Sequence, residues 1–427
     1  MRVPLLPLVV LLATVGCTTK FDPALLDGCN GCSDGISCLP GNTPQVCGAK
    51  GATCTTCDAV HPACEDGACV VDNAVVDMSL SGAHTTAIDR NGQLWVWGRN
   101  ISGNLAEPVT SAQEEDTPIR VNVAGVKTWK TVAAAGYPET LATCAISTAG
   151  ALYCWGTCGD GQCGLTTPPG PTPTRVGSAT WRAVGGGSAH TCGLQTDGSL
   201  WCWGWAAPDG RLGLAATVTD TKTPQHVDAS GDGWKQLAVG LAHSCAIKTD
   251  GALYCWGSND SGELGHTTVA GPAQVTPNGT SYLQVSAGKA HTCGIRTNHT
   301  LWCWGDNSRG QLGFPGSAST PQQIDQRTDW AMVSAAGNQT CAVRNDGGLF
   351  CWGAGDMGQL GTGKLVDEPT PTPVAGGAHW ALVTAGGLHA CGVQQDGTLW
   401  CWGDNGYGEI GATTFQPAPS PVNVLLK

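Results

Sequence analysis

From residue 71 onward the chain alternates short apolar runs with turn-forming residues, in register with itself. The unit at 190–204 shows the pattern. His190, Thr191, Cys192, Gly193 and Leu194 form one run, and Leu200, Trp201, Cys202 and Trp203 form another, with Asp197 and Gly198 between them. Two runs rich in β-favouring residues around an Asp-Gly turn predict a hairpin. Seven Trp-Gly pairs, at Trp97, Trp155, Trp203, Trp256, Trp304, Trp352 and Trp402, repeat this hairpin with a period of 48 to 58 residues. Periods of that length mark propellers or solenoids. After each pair comes a turn element, clearest as Gly-x-Asn-x-x-Gly-Gln-Leu-Gly at 305–313 and with Glu263 for Gln at 257–265. Asn259 and Asn307 suit such a loop because their side chains can hydrogen-bond its own backbone. A proline-bearing outer strand follows, as in Pro118 to Val121, and then an inner strand such as Trp234 to Gly240. Proline belongs on an unpaired sheet edge.

Cysteines set the hairpin register. Cys192 and Cys202 face each other only across an odd-numbered loop, which selects Thr196, Asp197 and Gly198, with Gly198 in the left-handed position of a type I turn plus bulge. The same offset of ten recurs in Cys144 and Cys154, Cys245 and Cys255, Cys293 and Cys303, Cys341 and Cys351, and Cys391 and Cys401, so each pair is expected to form a disulfide. Glycine holds the matching turn position in all but one of these, where His299 stands, a residue type that tolerates the conformation better than most. In the first unit Thr86 and Val96 occupy both cysteine positions at once, and paired loss implies paired function. In the second unit Cys158 and Cys163 together replace the Asn and Leu of the turn element, so a further bridge is expected there.

The alternation of Gly-x-Asn-x-x-Gly-Gln-Leu-Gly with His-Thr-Cys-x-x-x-x-Asp-Gly-x-Leu-x-x-Trp-Gly resembles the regulator of chromosome condensation repeat, over roughly residues 75–427. The resemblance implies an all-β, seven-bladed propeller, with the terminal strands at Val75 to Leu80 and Pro421 to Val424 together closing the ring. The family's founding member is a nucleotide exchange factor for a nuclear GTPase. Its functional residues lie on non-repeating loops and cannot be carried onto this chain, so exchange activity follows by family analogy only. Other proteins of this fold are secreted bacterial proteins that bind and inhibit β-lactamases through one ring face.

The N-terminal part reads differently. Arg2 precedes an apolar stretch from Val3 to Val15 that is too short to span a bilayer, and Gly16 and Cys17 follow. This predicts an export signal over 1–16 and lipidation of Cys17, although Thr14 departs from the aliphatic residue usual in a lipobox. Residues 17–28 form a linker. Residues 29–70 hold eight cysteines, at 29, 32, 38, 47, 54, 57, 64 and 69, among turn-forming residues. A stretch so short needs covalent bridges for a core, and eight cysteines allow 105 pairings. The spacings of Cys29 with Cys32 and of Cys54 with Cys57 would also suit zinc, but an oxidising compartment favours disulfides and zinc would orphan the other four. The propeller takes 71–427. Thr18 lacks the Asp that retains some lipoproteins at an inner membrane, so the expected location is the outer membrane, with the lipid as sole membrane attachment.

Composition narrows function. Net charge is -12 and charged residues are 13% of the chain, so no basic stripe is available for nucleic acid. His84, His190, His243, His291 and His389 occupy one repeat position, with Ala142 and Gln339 in the other two hairpins. Equivalent positions on different blades lie far apart, so these histidines are expected to be structural, and no metal or cofactor is called. No Gly-x-Ser-x-Gly elbow or His-Glu-x-x-His appears. Only five tyrosines are present, too few for a sialidase-like constellation. Function is therefore sought where the repeat breaks: Tyr137 and Glu139 in an insertion at 136–139, Trp205 and Asp209 in an unusual loop, and an acidic loop at Glu114, Glu115 and Asp116. The reading is a monomeric, non-catalytic envelope lipoprotein presenting these loops to a protein or glycan. A propeller hydrolase or lyase with an unrecognised site is the alternative.

Overall fold

The computed structural model describes residues 73–109, 114–136, 140–215, 217–227, 231–267, 271–275 and 280–426. Between 32 and 70 it describes only the backbone of six short strands, paired as Cys32–Ser33 with Cys38–Leu39, Asn42–Thr43 with Val46–Cys47, and Ala63–Glu65 with Ala68–Val70. The signal segment, Cys17, the pairing of the eight module cysteines, Tyr137 and Glu139 lie outside the described residues. The propeller forms its own compact unit beginning at Val75.

That unit is seven four-stranded antiparallel sheets, each built from one contiguous stretch of chain. Blade 1 runs from the inner strand Val75–Leu80 to the outer strand Glu114–Arg120, and blade 7 from Trp380–Ala385 to Ala418–Val424. Glu114, Glu115 and Asp116, read from sequence as a loop, thus begin a strand. An exposed outer edge tolerates acidic side chains. Prolines also sit in outer strands, as Pro224, Pro321 and Pro371 do. Among the described residues there is no helix.

Within a blade the second and third strands pair as the cysteines require. His190 lies opposite Gly204, Cys192 opposite Cys202 and Leu194 opposite Leu200. The turn closes over 196–198, with Gly198 at φ +90° and, in blade 5, His299 at φ +61°. All six pairs at offset ten are bonded: Cys144 to Cys154, Cys192 to Cys202, Cys245 to Cys255, Cys293 to Cys303, Cys341 to Cys351 and Cys391 to Cys401. Their Cα atoms stand 4.0–4.1 Å apart, and all of these cysteines but Cys144 are fully buried. Cys158 is bonded to Cys163. The equivalent loop in blade 5 is held by Asn307, whose Oδ1 accepts from Leu312 N at 2.9 Å and whose Nδ2 donates to Phe314 O at 2.6 Å. In blade 2 a covalent clamp stands where that side-chain clamp would be.

The core lies between blades. Each of seven apolar clusters joins the middle strands of one blade to the inner strand and Trp of the next, as when Ile295, Leu301 and Leu312 meet Trp330, Val333 and Trp352. The seventh cluster packs Val75, Met78 and Leu80 against Cys391, Leu399 and Val424. Both terminal strands therefore close the ring, and they do so by packing, without sharing a blade. A belt of main-chain hydrogen bonds reinforces it around the axis: Gly82 N to Gly136 O, Gly136 N to Gly187 O, Ser188 N to Leu241 O, Leu241 N to Gly288 O, Lys289 N to Gly337 O and Gly387 N to Ser81 O. Between blades 6 and 7 the Gln339 side chain completes the belt, donating to Gly386 O at 3.1 Å and to His389 O at 3.0 Å.

Candidate binding face

The repeated histidines are interblade struts. His243 Nε2 lies 2.8 Å from Thr292 Oγ1 of the next blade, and His84, His291 and His389 reach Thr143, Thr340 and Thr85 in the same way. His190 reaches Ser244. Each of those threonines donates its one hydroxyl proton to a loop carbonyl, as Thr292 does to Glu263 O at 2.8 Å. The ring must then be the donor, which makes these imidazoles neutral Nε2–H tautomers. On the other side of the ring, Nδ1 of His190, His243, His291 and His389 is buried without a partner. Burial pushes His84, His190, His243 and His389 down to about 3 and His291 to about 4. Gly288 is obligatory beside one ring, since a Cβ there would sit 2.3 Å from His291 Cε1. Where the following blade offers Ala390 in place of Thr, the histidine is replaced by Gln339. Among the described residues no group of three or more potential ligands is placed to hold a metal.

In an antiparallel meander the inner-to-second and third-to-outer connections emerge at the same end of a blade. Gly136 at the end of the inner strand of blade 2, the Trp205 loop and the start of the acidic strand at Glu114 therefore all belong to one face of the ring. Surface hydrophobicity marks the same face. Of ten large hydrophobic side chains exposed among the described residues, seven lie on third-to-outer loops: Val109, Trp205, Val218, Met357, Leu365, Val366 and Phe415. Exposed apolar side chains concentrated on one face mark an interaction surface.

The Trp205 loop departs twice from the common form, in a length that none of its six counterparts has and in a missing Asn that it shares with Cys158 of blade 2 and Gly355 of blade 6. It has one additional residue between the Trp-Gly pair and Gly210, and Ala206 stands where the clamping Asn belongs. Without that side chain a cleft of 480 Å³ remains between the loops of blades 3 and 4, walled by Ala206, Pro208, Leu212, Leu214 and Val218. Asp220 Oδ1 accepts from Ala206 N at 2.9 Å and holds the loop open in place of the missing Asn. Ala207 takes φ +43° at the tip, a conformation few non-glycine residues adopt.

Beside the cleft, Arg211 occupies the position that is Gln162, Glu263, Gln311, Gln359 or Glu409 in other blades. Its backbone carbonyl keeps the common role, accepting from Trp256 Nε1 at 3.1 Å. Its guanidinium is new: Nε donates to Asp209 Oδ1 at 3.0 Å, a second nitrogen pairs with Asp209 Oδ2, and the group lies 4.4 Å from the Trp205 ring centroid. Asp209 is thereby committed to fixing Arg211, and Arg211 to bracing an indole that stays 41% exposed. The trio presents an aromatic platform with little freedom left to lose on binding. The sequence reading singled out Trp205 and Asp209 but not Arg211. The signal was there, a lone cation in a column of amides and carboxylates.

Residues 45–375 match the RCC1-like domain family, and residues 380–409 match the regulator of chromosome condensation (RCC1) repeat. Similar proteins include the mitochondrial RCC1 domain-containing protein RUG3 of Arabidopsis thaliana, 27% identical over 46% of this chain and 45% of its own length. The ultraviolet-B receptor UVR8 of the same plant is 29% identical over 45% of this chain and 43% of its own. The chain thus spans less than half the length of these relatives. Among solved structures, Prp20p of Saccharomyces cerevisiae superposes with a TM-score of 0.70 at 18% identity, covering 84% of this chain and 87% of its own. Human WBSCR16 gives 0.69 at 20% identity, covering 78% and 94%. Seven interlocked blades and a family match over most of the sequence lead to one conclusion: the chain belongs to the RCC1-like domain family.

Proposed function

We propose that this propeller is a non-catalytic scaffold that binds a protein partner through the face carrying Trp205. One observation carries the reading: seven of the ten large exposed apolar side chains among the described residues and the repeat-breaking Trp205 loop fall on the same end of the ring. A rigid platform suits recognition because little ordering is lost when it binds. Glycan recognition is the lesser reading, since Val218, Leu365, Val366 and Phe415 offer aliphatic and isolated aromatic surface without a ring of polar partners. The carboxylate of Asp209 is held by Arg211, which leaves it a structural part here. Relatives range from an ultraviolet-B receptor to E3 ubiquitin-protein ligase HERC2 of Homo sapiens, so family membership alone fixes no activity.

The proposal includes the setting. A chain with seven propeller disulfides, an apolar leader and Cys17 after Gly16 fits an exported lipoprotein anchored at the outer membrane, where its partner would be an envelope or extracellular protein. Labelled palmitate should be incorporated by the wild-type chain and not by Cys17→Ser. For binding, the mature chain is immobilised and incubated with envelope and culture-medium proteins. Trp205→Ala should lower recovery of the partner about ten-fold, the scale of losing one aromatic anchor. Leu283→Ser, an exposed change on the inner strand of blade 5, should leave it intact. Recovery unaffected by Trp205→Ala, or turnover of a small substrate without stable capture, would reverse the reading.

A further inference from the structure

The cleft between blades 3 and 4 does not end at its own walls. A second cleft, also of 480 Å³, lies between the loops of blades 4 and 5, and the two share Asn259 and Asp260. Their linings differ in kind. The first has alanine, proline, leucine and valine walls beside Asp209, Ser258, Asn259 and Asp260, while the second has no aliphatic residue and is lined by hydroxyl groups with Asn259, His266, Asp260 and Asp306. Neither is lined by a lysine or an arginine. Asp306 is partly used, accepting from Ser308 N at 3.0 Å and Gln311 Nε2 at 2.8 Å. Asp260 is exposed at the junction of the two clefts, and the whole chain carries a net charge of -12. An apolar slot adjoining a negative, hydroxyl-lined one has the complementarity of a chain segment with two unlike side chains.

We infer that the two clefts act as one groove for an extended peptide segment, with an apolar side chain seated between blades 3 and 4 and a lysine or arginine beside Asp260. This rests on the protein-binding reading and specifies the partner's chemistry. The first cleft pairs Ala206 in place of the clamping Asn with a loop one residue longer than its counterparts, a combination found at this one junction, since blade 6 has Gly355 at the Asn position but a loop of ordinary length. Apolar burial supplies affinity, and the unpaired carboxylate selects the sign of the neighbouring charge.

The test uses a phage-displayed library of random peptides panned on the oxidised mature chain, followed by fluorescence anisotropy with a labelled selected peptide. Selected peptides are expected to carry an apolar residue followed within a few positions by Lys or Arg. Asp260→Lys should weaken that peptide about ten-fold and turn selection toward Asp and Glu, whereas Val218→Asp should abolish selection at the apolar position. Both changes are at exposed sites, and unchanged melting temperatures verify that each variant folds. Selection without charge bias, or the same bias with Asp260→Lys, would overturn the groove. The two proposals fail separately. A partner lost with Trp205→Ala while no peptide is selected leaves the binding face standing and removes the groove. Charge-biased peptides without any Trp205-dependent partner do the opposite.

Discussion

Once unfolded and reduced, the propeller is expected not to refold at 37 °C, whereas the oxidised chain should recover its native near-ultraviolet circular dichroism. Each bridge at offset ten closes a loop of about eleven residues, worth about 2.7 kcal/mol of unfolded-state entropy. Six such contributions exceed the net stability of about 5–15 kcal/mol typical of a folded domain. Under native conditions the bridges should nonetheless resist millimolar dithiothreitol, because their sulfurs are sealed between blades and reduction must wait for global opening. Blade 1 supplies the converse experiment. Thr86 and Val96 are Cα partners at the position other blades use for a bridge. Thr86→Cys with Val96→Cys should form an eighth propeller disulfide. It would cost the Thr86 Oγ1 to Ser79 O hydrogen bond of 2.8 Å, about 1 kcal/mol, and still leave a net gain of about 1–2 kcal/mol in urea unfolding. A reduced chain that refolds to the native spectrum would show that packing and the main-chain belt suffice alone.

The parts of this molecule legible in the sequence are those the repeat states many times. Hairpin register followed from parity, because a side chain returns to the same face every second residue. Cys158 and Cys163 stood out because they changed together, and the structure explains the pairing: they span the two positions, Asn and Leu, that the clamp joins elsewhere. The strut role of the histidines was only half legible. Burial could be inferred, but the acceptor is a threonine about fifty residues away on the next blade, so its signature is the joint appearance of Gln339 and Ala390 rather than any local motif. The cleft was not legible at all. It arises from an absent side chain at Ala206 and one additional residue in a loop, and a void has no letter in the sequence. The acidic strand was misread because charge near a turn suggests a loop, whereas an outer strand presents one edge to solvent and accepts it.

Acidification from neutral pH should destabilise the propeller steeply, with loss beginning near pH 6.5 and continuing toward pH 4. His84, His190, His243, His291 and His389 are neutral in the fold, with values pushed down to about 3 or 4, while in the unfolded chain each titrates near 6.5. Below 6.5 the unfolded chain therefore binds protons that the folded chain does not, and stability falls with pH throughout that window. Each histidine contributes about 1.4 kcal/mol per pH unit, so five together remove several kcal/mol between pH 6.5 and pH 5. Folded-state protonation is resisted by geometry as well as burial, since the second ring proton would fall on an Nδ1 with no acceptor in four of the five. Glu409 works against this slope. Desolvation raises it to about 7 from an ordinary 4.5, so between those values the fold holds the additional proton and gains stability as pH falls. Burial also raises Asp77 and Glu115, which act in the same direction as Glu409, but five imidazoles outweigh the three carboxyls. Urea midpoints measured from pH 7 to pH 4 should decline monotonically, and Glu409→Gln should steepen the decline. A flat profile would mean that the rings accept a proton in place, which the strut geometry forbids.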